Sequence, residues 1–170
     1  MKKKHKIRCR GKGPAFERRI AKDIVKAFRK FGVKQNDCWR SVLSGGHSMS
    51  AGDLRMSAQM EQLFPYAVEC KFYKKIKLEN FLIASIKSKE VKWLDQTCEG
   101  AEKSAGLRAL LVMKANNQKI LTMRLLDYDE LKPLDNYIQV LARYWEVKTW
   151  KEFLKIAVTK APTSSKKSQR

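Results

Sequence analysis

The sequence feature that most restricts the fold is the run YAVECKF, an apolar stretch that is interrupted by two charges. Successive side chains of a β-strand point to opposite faces. A strand here therefore carries Val68, Cys70 and Phe72 on one face, and Glu69 with Lys71 on the other. The two charged side chains then emerge roughly 6.5 to 7 Å apart along the strand. Either they belong to a functional site, or the strand lies at a sheet edge with a solvated face and a cross-strand ion partner.

Hydrophobic periodicity predicts helices and strands on both sides of this run. A first-turn proline and a following glycine bound the first helix, whose apolar face carries Phe16, Ile20 and Ile24 at helical spacing. The order of elements predicts an α/β or α+β domain with a central mixed β-sheet. We expect the α/β class, with helices flanking the sheet. The predicted elements besides the run are a helix over 14–31, a loop over 40–52, a short strand over 52–57, a helix over 88–105, strands over 107–115 and 119–125 joined by a tight turn at 116–118, a short strand around 138–142 and a helix near 149–156.

The length and composition suit one folded domain, because 44% of the 170 residues are hydrophobic. We expect a basic arm over residues 1–12, a single domain over 13–157 and a basic tail over 158–170. No apolar stretch approaches the ~18 residues that cross a bilayer, and no apolar segment of a secretory signal follows the basic N-terminus. The wide spacing of the cysteines argues against a zinc site, and the lack of a signal segment argues against disulfides. We therefore expect reduced thiols and a cytoplasmic location. The four cysteines are Cys9, Cys38, Cys70 and Cys98.

The charge balance points to a polyanionic partner. The chain has 37 Lys and Arg residues against 17 Asp and Glu residues, for a net charge of +20. Residues 1–60 alone carry sixteen basic and four acidic residues, so the surplus is concentrated as in a binding face. Nucleic acid is the first candidate, whereas no segment pairs a basic with an aromatic-rich face as an anionic membrane would require. A basic tail that serves only solubility stays an alternative.

Three carboxylates and a lysine form a candidate catalytic set. Asp53 begins the strand before the YAVECKF run, so a neighbouring antiparallel strand would bring its carboxylate close to Glu69. Two converging carboxylates can hold a hard divalent cation such as Mg²⁺, which prefers oxygen ligands. Lys71 would then lie beside an attacking water. It can orient that water or offset charge on the phosphorus. Glu17 on the first helix is either a further ligand or an i,i+4 surface partner of a basic side chain.

Taken in order, these residues resemble the motif of the PD-(D/E)xK nucleases, and more narrowly the archaeal and phage Holliday junction resolvases of that superfamily. The motif residues are Glu17, Gly52-Asp53 and Glu69-Cys70-Lys71, with Gly52 in the place of the proline that names the motif. The likeness covers about residues 13–115, whereas residues 116–170 add nothing that resembles the family. Its other parts are Gly13, Phe16, Arg40, Ser44-Gly45-Gly46, Leu54, Tyr66-Ala67-Val68, Trp93, Gln96, Ala101, Gly106 and Leu110-Leu111-Val112-Met113.

This resemblance implies a restriction-endonuclease-like core and hydrolysis of DNA phosphodiesters that depends on Mg²⁺, with Mn²⁺ as a substitute. It implies that Asp53 and Glu69 bind the metal together with the Cys70 backbone carbonyl. Glu17 would complete the acidic set, and Lys71 would position the nucleophilic water. The resemblance also implies a homodimer that cuts branched DNA in recombination, in the host cytoplasm if the chain comes from a phage.

Further residues are candidates for contact with DNA. By the resemblance, Arg40 and Ser44 touch the DNA backbone near the cut. The lysines that follow the YAVECKF strand either extend this phosphate-binding surface or form a solvated turn. For most of the four tryptophans, core packing is favoured over stacking on bases. The other candidate phosphate contacts are Arg18, Lys74, Lys75 and Lys77.

Two other functions fit the same residues. A non-catalytic DNA- or RNA-binding protein explains the net charge but not the acids. A nuclease of the same fold that acts on linear or nicked DNA explains both, and only the loop and helix likeness distinguishes it from a junction resolvase.

Overall fold

The computed structural model describes residues 11–41, 52–83, 87–104, 106–127, 130, 137–140 and 143–162. The helices are α1 (Lys12–Phe28), α2 (Ala58–Leu63), α3 (Glu79–Leu82), α4 (Lys89–Glu102) and α5 (Trp150–Lys160), with short 3₁₀ turns at Arg29–Phe31 and Gln35–Asp37. The strands are β1 (Cys38–Arg40), β2 (Leu54–Met56), β3 (Tyr66–Tyr73), β4 (Arg108–Ala115), β5 (Leu121–Leu125), β6 (Tyr137–Val140) and β7 (Arg143–Thr149).

Five strands form a mixed sheet in the order β3–β4–β5–β7–β6. β3 and β4 are parallel, and α4 lies in the crossover between them, as a parallel connection requires. The remaining neighbours are antiparallel. β1 and β2 form a separate two-stranded antiparallel sheet. The YAVECKF strand therefore lies at one edge of the main sheet, where it pairs with β4.

Helices cover both faces of this sheet. α1 and α5 pack with one face through a core that includes Ile24, Val68 and Leu110. α4 packs on the opposite face, in a second core that includes Leu111 and Trp145. The predicted α/β class, with a central mixed sheet flanked by helices, is confirmed and is consistent with a restriction-endonuclease-like core.

Most of the predicted elements are present. α1 continues as a 3₁₀ turn to Phe31, so the predicted helix over 14–31 is confirmed, with its start at Lys12. The helix predicted over 88–105 spans Lys89–Glu102 after an N-cap at Ser88. The tight turn between β4 and β5 is confirmed, and Asn117 adopts the positive φ of 57° that a short hairpin turn favours.

Other elements differ from the sequence-based prediction. β2 pairs with β1 instead of running as the antiparallel neighbour of β3, so that prediction is wrong. Arg40 belongs to β1, and residues 42–51 of the predicted loop lie outside the described residues. β1, α2, α3 and β7 were not predicted. β1, α2 and α3 are too short for a hydrophobic period to be recognised, and β7 depends on partners on both sides, β5 and β6.

The buried side chains settle two further expectations. Trp93, Trp145 and Trp150 are buried, as favoured from the sequence, whereas Trp39 is 45% exposed. Cys38, Cys70 and Cys98 are free thiols, and Cys9 lies outside the described residues. Among the described residues, none of the helices is long and apolar enough to cross a membrane.

Candidate active site

The charged pair on β3 faces α4. Parallel register places Glu69 beside Leu111 and Lys71 beside Met113, and both partners belong to the core under α4. The Lys71 Nζ donates to Glu69 Oε1 at 2.5 Å and to the Oε1 of Gln96, on α4, at 2.8 Å. Glu69 is only 5% exposed. The alternative of a solvated face on an edge strand is therefore wrong: the strand is at the edge, but its carboxylate is buried.

Asp53 reaches the free edge of β3 from the residues that precede β2. Its backbone N–H donates to the Val68 carbonyl at 2.8 Å, and its Oδ2 accepts a hydrogen bond from the Cys70 N–H at 2.8 Å. The main chain is held from the other side by the Ser41 N–H, which donates to the Asp53 carbonyl at 2.8 Å. Asp53 is thus close to Glu69, as predicted, although loop contacts and not a strand ladder bring it there.

Gly52 makes this approach feasible. It has a φ of +81°, a left-handed conformation that residues with a Cβ adopt only at a cost. A Cβ at this position would lie 2.5 Å from the Val68 carbonyl oxygen, well inside van der Waals contact. Glycine is therefore required both for the backbone turn and for the close packing of Asp53 against β3.

Glu17 enters the site from α1. It is 8% exposed, and its Oε2 accepts from the Arg40 Nε at 2.6 Å. The alternative of a surface i,i+4 partner is wrong, because the charge partner comes from β1. The pair joins α1 to β1, and Gly13 lies one turn before it, where an added Cβ would be 3.7 Å from Glu17 Oε1.

Burial and mutual repulsion shift the pKa values of these carboxyls. Burial, and then the charge of Glu69, raise the pKa of Asp53 to about 7 against the opposing Cys70 N–H bond. Burial also raises the pKa of Glu69, although Lys71 opposes this shift. Glu17 raises the pKa of both groups by its charge. The site thus concentrates negative charge that neither solvent nor the neighbouring cations fully compensate.

This donor set fits a hard divalent cation. A cation bound between Asp53 and Glu69 would relieve the repulsion and the desolvation cost that raise their pKa values, and carboxylate oxygen is its preferred ligand type. In the described part of the chain, no group of three or more His, Cys, Asp or Glu side chains converges closely enough to form a complete ligand set by itself. Lys71 and Arg40 instead hold Glu69 and Glu17.

The predicted DNA contacts are only partly brought to this site. Arg40 is there, through its ion pair with Glu17. Ser44 lies outside the described residues. The other four cations are exposed, one on α1 and three just after β3, where a ligand can reach them: Arg18, Lys74, Lys75 and Lys77.

Two contacts of the site were not predicted from the sequence. Gln96 was recognised only as part of the family resemblance, yet it holds Lys71 from α4. The pairing of Arg40 with Glu17 joins residues 23 positions apart. A lone glutamine or arginine carries no local signal for such a contact, since each contact depends on the packing of two separate elements.

A mixed sheet between helices, with an Asp before β2 and a Glu-x-Lys pair on β3, is the arrangement of the PD-(D/E)xK nucleases, a class that generally depends on divalent metal. Comparison with protein-family models matches residues 8–168 to the family described as "Phage putative PDDEXK endonuclease". The chain belongs to this family. Comparisons with curated proteins and with solved structures found no match.

The family match confirms the superfamily resemblance and extends it. It includes residues 116–168, where the sequence alone showed no likeness, so the match also covers the β5–β7 strands and α5. The narrower likeness to Holliday junction resolvases stays a prediction.

Proposed function

We propose that this chain is a Mg²⁺-dependent DNA endonuclease that hydrolyses phosphodiester bonds in branched DNA, and that it acts as a homodimer in the cytoplasm of the phage's host. The observation that carries the proposal is the buried pair of Asp53 and Glu69 beside Lys71. A buried carboxylate costs free energy unless a cation compensates it. Two such carboxylates with an adjacent ammonium have a clear use in metal-assisted hydrolysis.

Each residue has a role in this proposal. Asp53 and Glu69 hold the cation with their side-chain oxygens, and Glu17 completes the acidic set. The Cys70 carbonyl is a further ligand. The Cys70 N–H donates to Asp53 at the free edge of β3. Because the N–H and the C=O of one strand residue face the same edge, the carbonyl also lies on the Asp53 side. When bound, the cation supplies an acidified water and neutralises charge on the attacked phosphate.

Lys71 provides the second part of the chemistry. Its ammonium is held between Glu69 and Gln96, so few of its rotamers are available. An ammonium fixed beside the carboxylates can orient the attacking water by a hydrogen bond and stabilise the extra negative charge on the phosphorus in the transition state.

The proposed substrate contacts follow from exposure and charge. Arg40 and Ser44 contact the backbone near the cut, as in the resembling resolvases. The exposed cations Arg18, Lys74, Lys75 and Lys77 extend this surface. A homodimer fits the symmetry of a four-way junction, in which two equivalent strands must be cut.

The test is a cleavage assay with Mg²⁺ on a labelled four-way junction and on a linear duplex of the same sequence. Asp53→Asn and Glu69→Gln keep the size of the side chain and remove its charge, so each should abolish cleavage while DNA binding in EDTA is kept or strengthened. The matched control is Glu61→Gln, an exposed acid on α2, which should cut at the wild-type rate.

The outcomes separate the alternatives. Symmetric cuts near the branch, absent in Asp53→Asn, support a nuclease that acts on branched DNA through Asp53. Equal cutting of the two substrates keeps the nuclease and rejects the branched-DNA preference. Binding that needs no metal, without cutting in Mg²⁺ or Mn²⁺, favours the non-catalytic binding protein. Sedimentation velocity at the assay concentration tests the homodimer separately.

A further inference from the structure

A large basic groove lies on the α1 side of the sheet, between α1, the β4–β5 turn and the first half of α5. We call it the α1–α5 groove. Its volume is about 970 Å³, and its floor includes the apolar side chains of Ile120, Trp150 and Leu154. Its walls carry six cations: Arg19, Lys26, Lys114, Lys119, Lys151 and Lys155.

The acids in the groove are used by the fold itself. Asp23 accepts from the Trp150 Nε1 at 3.2 Å, which ties α1 to α5. Glu152 caps α5, since its Oε2 accepts from the Thr149 backbone N–H at 3.1 Å and from its Oγ1 at 2.6 Å. These two carboxylates hold the helices that form the groove. They leave its walls with a clear excess of positive charge.

The cations, in contrast, point to an external ligand. Lys26, Lys119, Lys151 and Lys155 are exposed, and within the described ranges none of them forms a salt bridge. They come from three separate elements, so their convergence is produced by the tertiary fold and not by a run of sequence. Like charges gathered in this way repel one another unless a polyanion binds.

The groove adjoins a second, smaller cavity on the α1 side of the sheet. This cavity has a volume of about 300 Å³ and is lined by Phe16 and Phe72, on the face of β3 opposite to Glu69 and Lys71. Arg19 and Lys114 line both cavities. The Nζ of Lys114 lies 5.7 Å from the centre of the Phe72 ring. A chain of positive charge thus leads from α1 and β4 to α5.

We propose that the α1–α5 groove binds the phosphate backbone of a DNA duplex beyond the phosphate that is cut. A concave surface with cationic walls and an apolar floor suits a backbone whose charged phosphates alternate with less polar sugars. The choice of DNA over another polyanion rests on the proposed function. The groove itself holds none of the catalytic residues, so its occupancy can be measured without cleavage.

The experiment measures DNA affinity in EDTA, where Mg²⁺-dependent cutting cannot occur, as a function of salt. The groove variant is Lys119→Gln/Lys151→Gln in the full chain. The control is Lys34→Gln/Lys103→Gln, which removes the same charge at two exposed positions outside the groove. Unfolding curves verify that both variants are folded, and the probe is a 30-base-pair duplex labelled at one end.

We expect the groove variant to weaken binding and to make the slope of log K against log salt shallower by about 1 for each lysine–phosphate pair that the substitutions remove. If the two proteins bind equally at about 1 M salt, a difference of about 2 in slope makes the groove variant roughly a hundredfold weaker than wild type at about 0.1 M. The control should change the slope much less.

Equal losses of affinity in the two variants, or no loss in the groove variant, would overturn the groove proposal. So would a groove-dependent affinity for an RNA duplex that is absent for DNA. Failure of the proposed function looks different: wild type would bind DNA through the groove, with the predicted slope change, yet would not cut it in Mg²⁺.

Discussion

The Asp53 carboxylate accepts a hydrogen bond from the Cys70 backbone N–H, with 2.8 Å between Oδ2 and N. This bond connects the side chain of the residue that precedes β2 to the free edge of β3, where Glu69 and Lys71 flank Cys70. It explains how an Asp outside the main sheet reaches the Glu-x-Lys strand. Any change that moves Asp53 from this edge should disturb the candidate site more than it disturbs the fold.

The first prediction concerns Gly52. In Gly52→Ala, the positive φ and the contact of the new Cβ with the Val68 oxygen should together cost about 2 kcal/mol or more of unfolding free energy. Because Asp53 is displaced, the variant should also lose most of the cleavage activity. Urea denaturation and the junction cleavage assay measure the two effects.

Gly106→Ala is the matched control for this prediction. Gly106 also has a positive φ, +84°, but no atom lies within 4 Å of its added Cβ. It should therefore lose only about 1 kcal/mol from backbone strain and keep its activity. Equal stability losses for the two variants would argue against close packing at Gly52.

The second prediction concerns the pH dependence of stability without metal. The pKa of Asp53 is about 7 in the folded protein against an ordinary 3.8, so the folded state binds the proton more tightly. The free energy of unfolding should consequently fall as pH rises from 3.8 to about 7. Relative to Asp53→Asn, wild type in EDTA should lose about 3 kcal/mol between pH 5 and pH 8.

Urea unfolding at both pH values measures this difference, and Mg²⁺ provides the internal check. A cation that binds the ionised carboxyls stabilises only the folded state, so it should restore wild type at pH 8 and leave Asp53→Asn nearly unchanged. Parallel pH profiles of the two proteins would show that Asp53 is ionised throughout this range.

The third prediction concerns Gln96. Its Oε1 is 2.8 Å from the Lys71 Nζ, so Gln96→Leu should leave the ammonium less well oriented. A hydrogen bond to a charged group contributes about 1.5 to 3 kcal/mol, so kcat should fall roughly tenfold or more with little change in KM. Single-turnover cleavage measures this step.

Gln59→Leu is the control, because the Gln59 amide bonds the Phe31 carbonyl away from the site. Gln96→Glu should retain more activity than Gln96→Leu, since it still offers an acceptor to Lys71. An increase in KM with unchanged kcat would instead make Gln96 a DNA contact.

The fourth prediction concerns Arg40 and Glu17. A double-mutant cycle of Arg40→Ala and Glu17→Gln should give a coupling energy of about 1 to 3 kcal/mol in EDTA, because the Nε–Oε2 bond is short and largely shielded from water. Equilibrium unfolding of the four proteins measures it. Zero coupling would contradict a stabilising pair.

The same variants separate two roles of Arg40. If Arg40 also contacts DNA, Arg40→Ala should make the salt dependence of binding shallower by about 1 in the log–log slope, even in the Glu17→Gln background. An unchanged slope would leave Arg40 as a positioning residue for Glu17 alone.

The sequence by itself determined the local structure of the site. The alternation in YAVECKF placed Glu69 and Lys71 on one face of a strand, and the glycine-bounded period of α1 placed Phe16 and Ile20 in the core. These patterns depend only on backbone geometry and on the burial of apolar side chains, so they can be recognised from a single stretch of chain. The net charge of the chain indicated a polyanionic partner, and the order of the acids and Lys71 resembles the motif of the superfamily.

Only the tertiary structure decided how these pieces meet. It put Asp53 on β3 through the Cys70 N–H rather than through a strand ladder, paired Glu17 with Arg40, and gave Lys71 a second partner in Gln96. It also gathered cations from α1, the β4–β5 turn and α5 into one groove. Such contacts join residues that are distant in sequence, and their free energy depends on burial and distance, which exist only once the elements have packed.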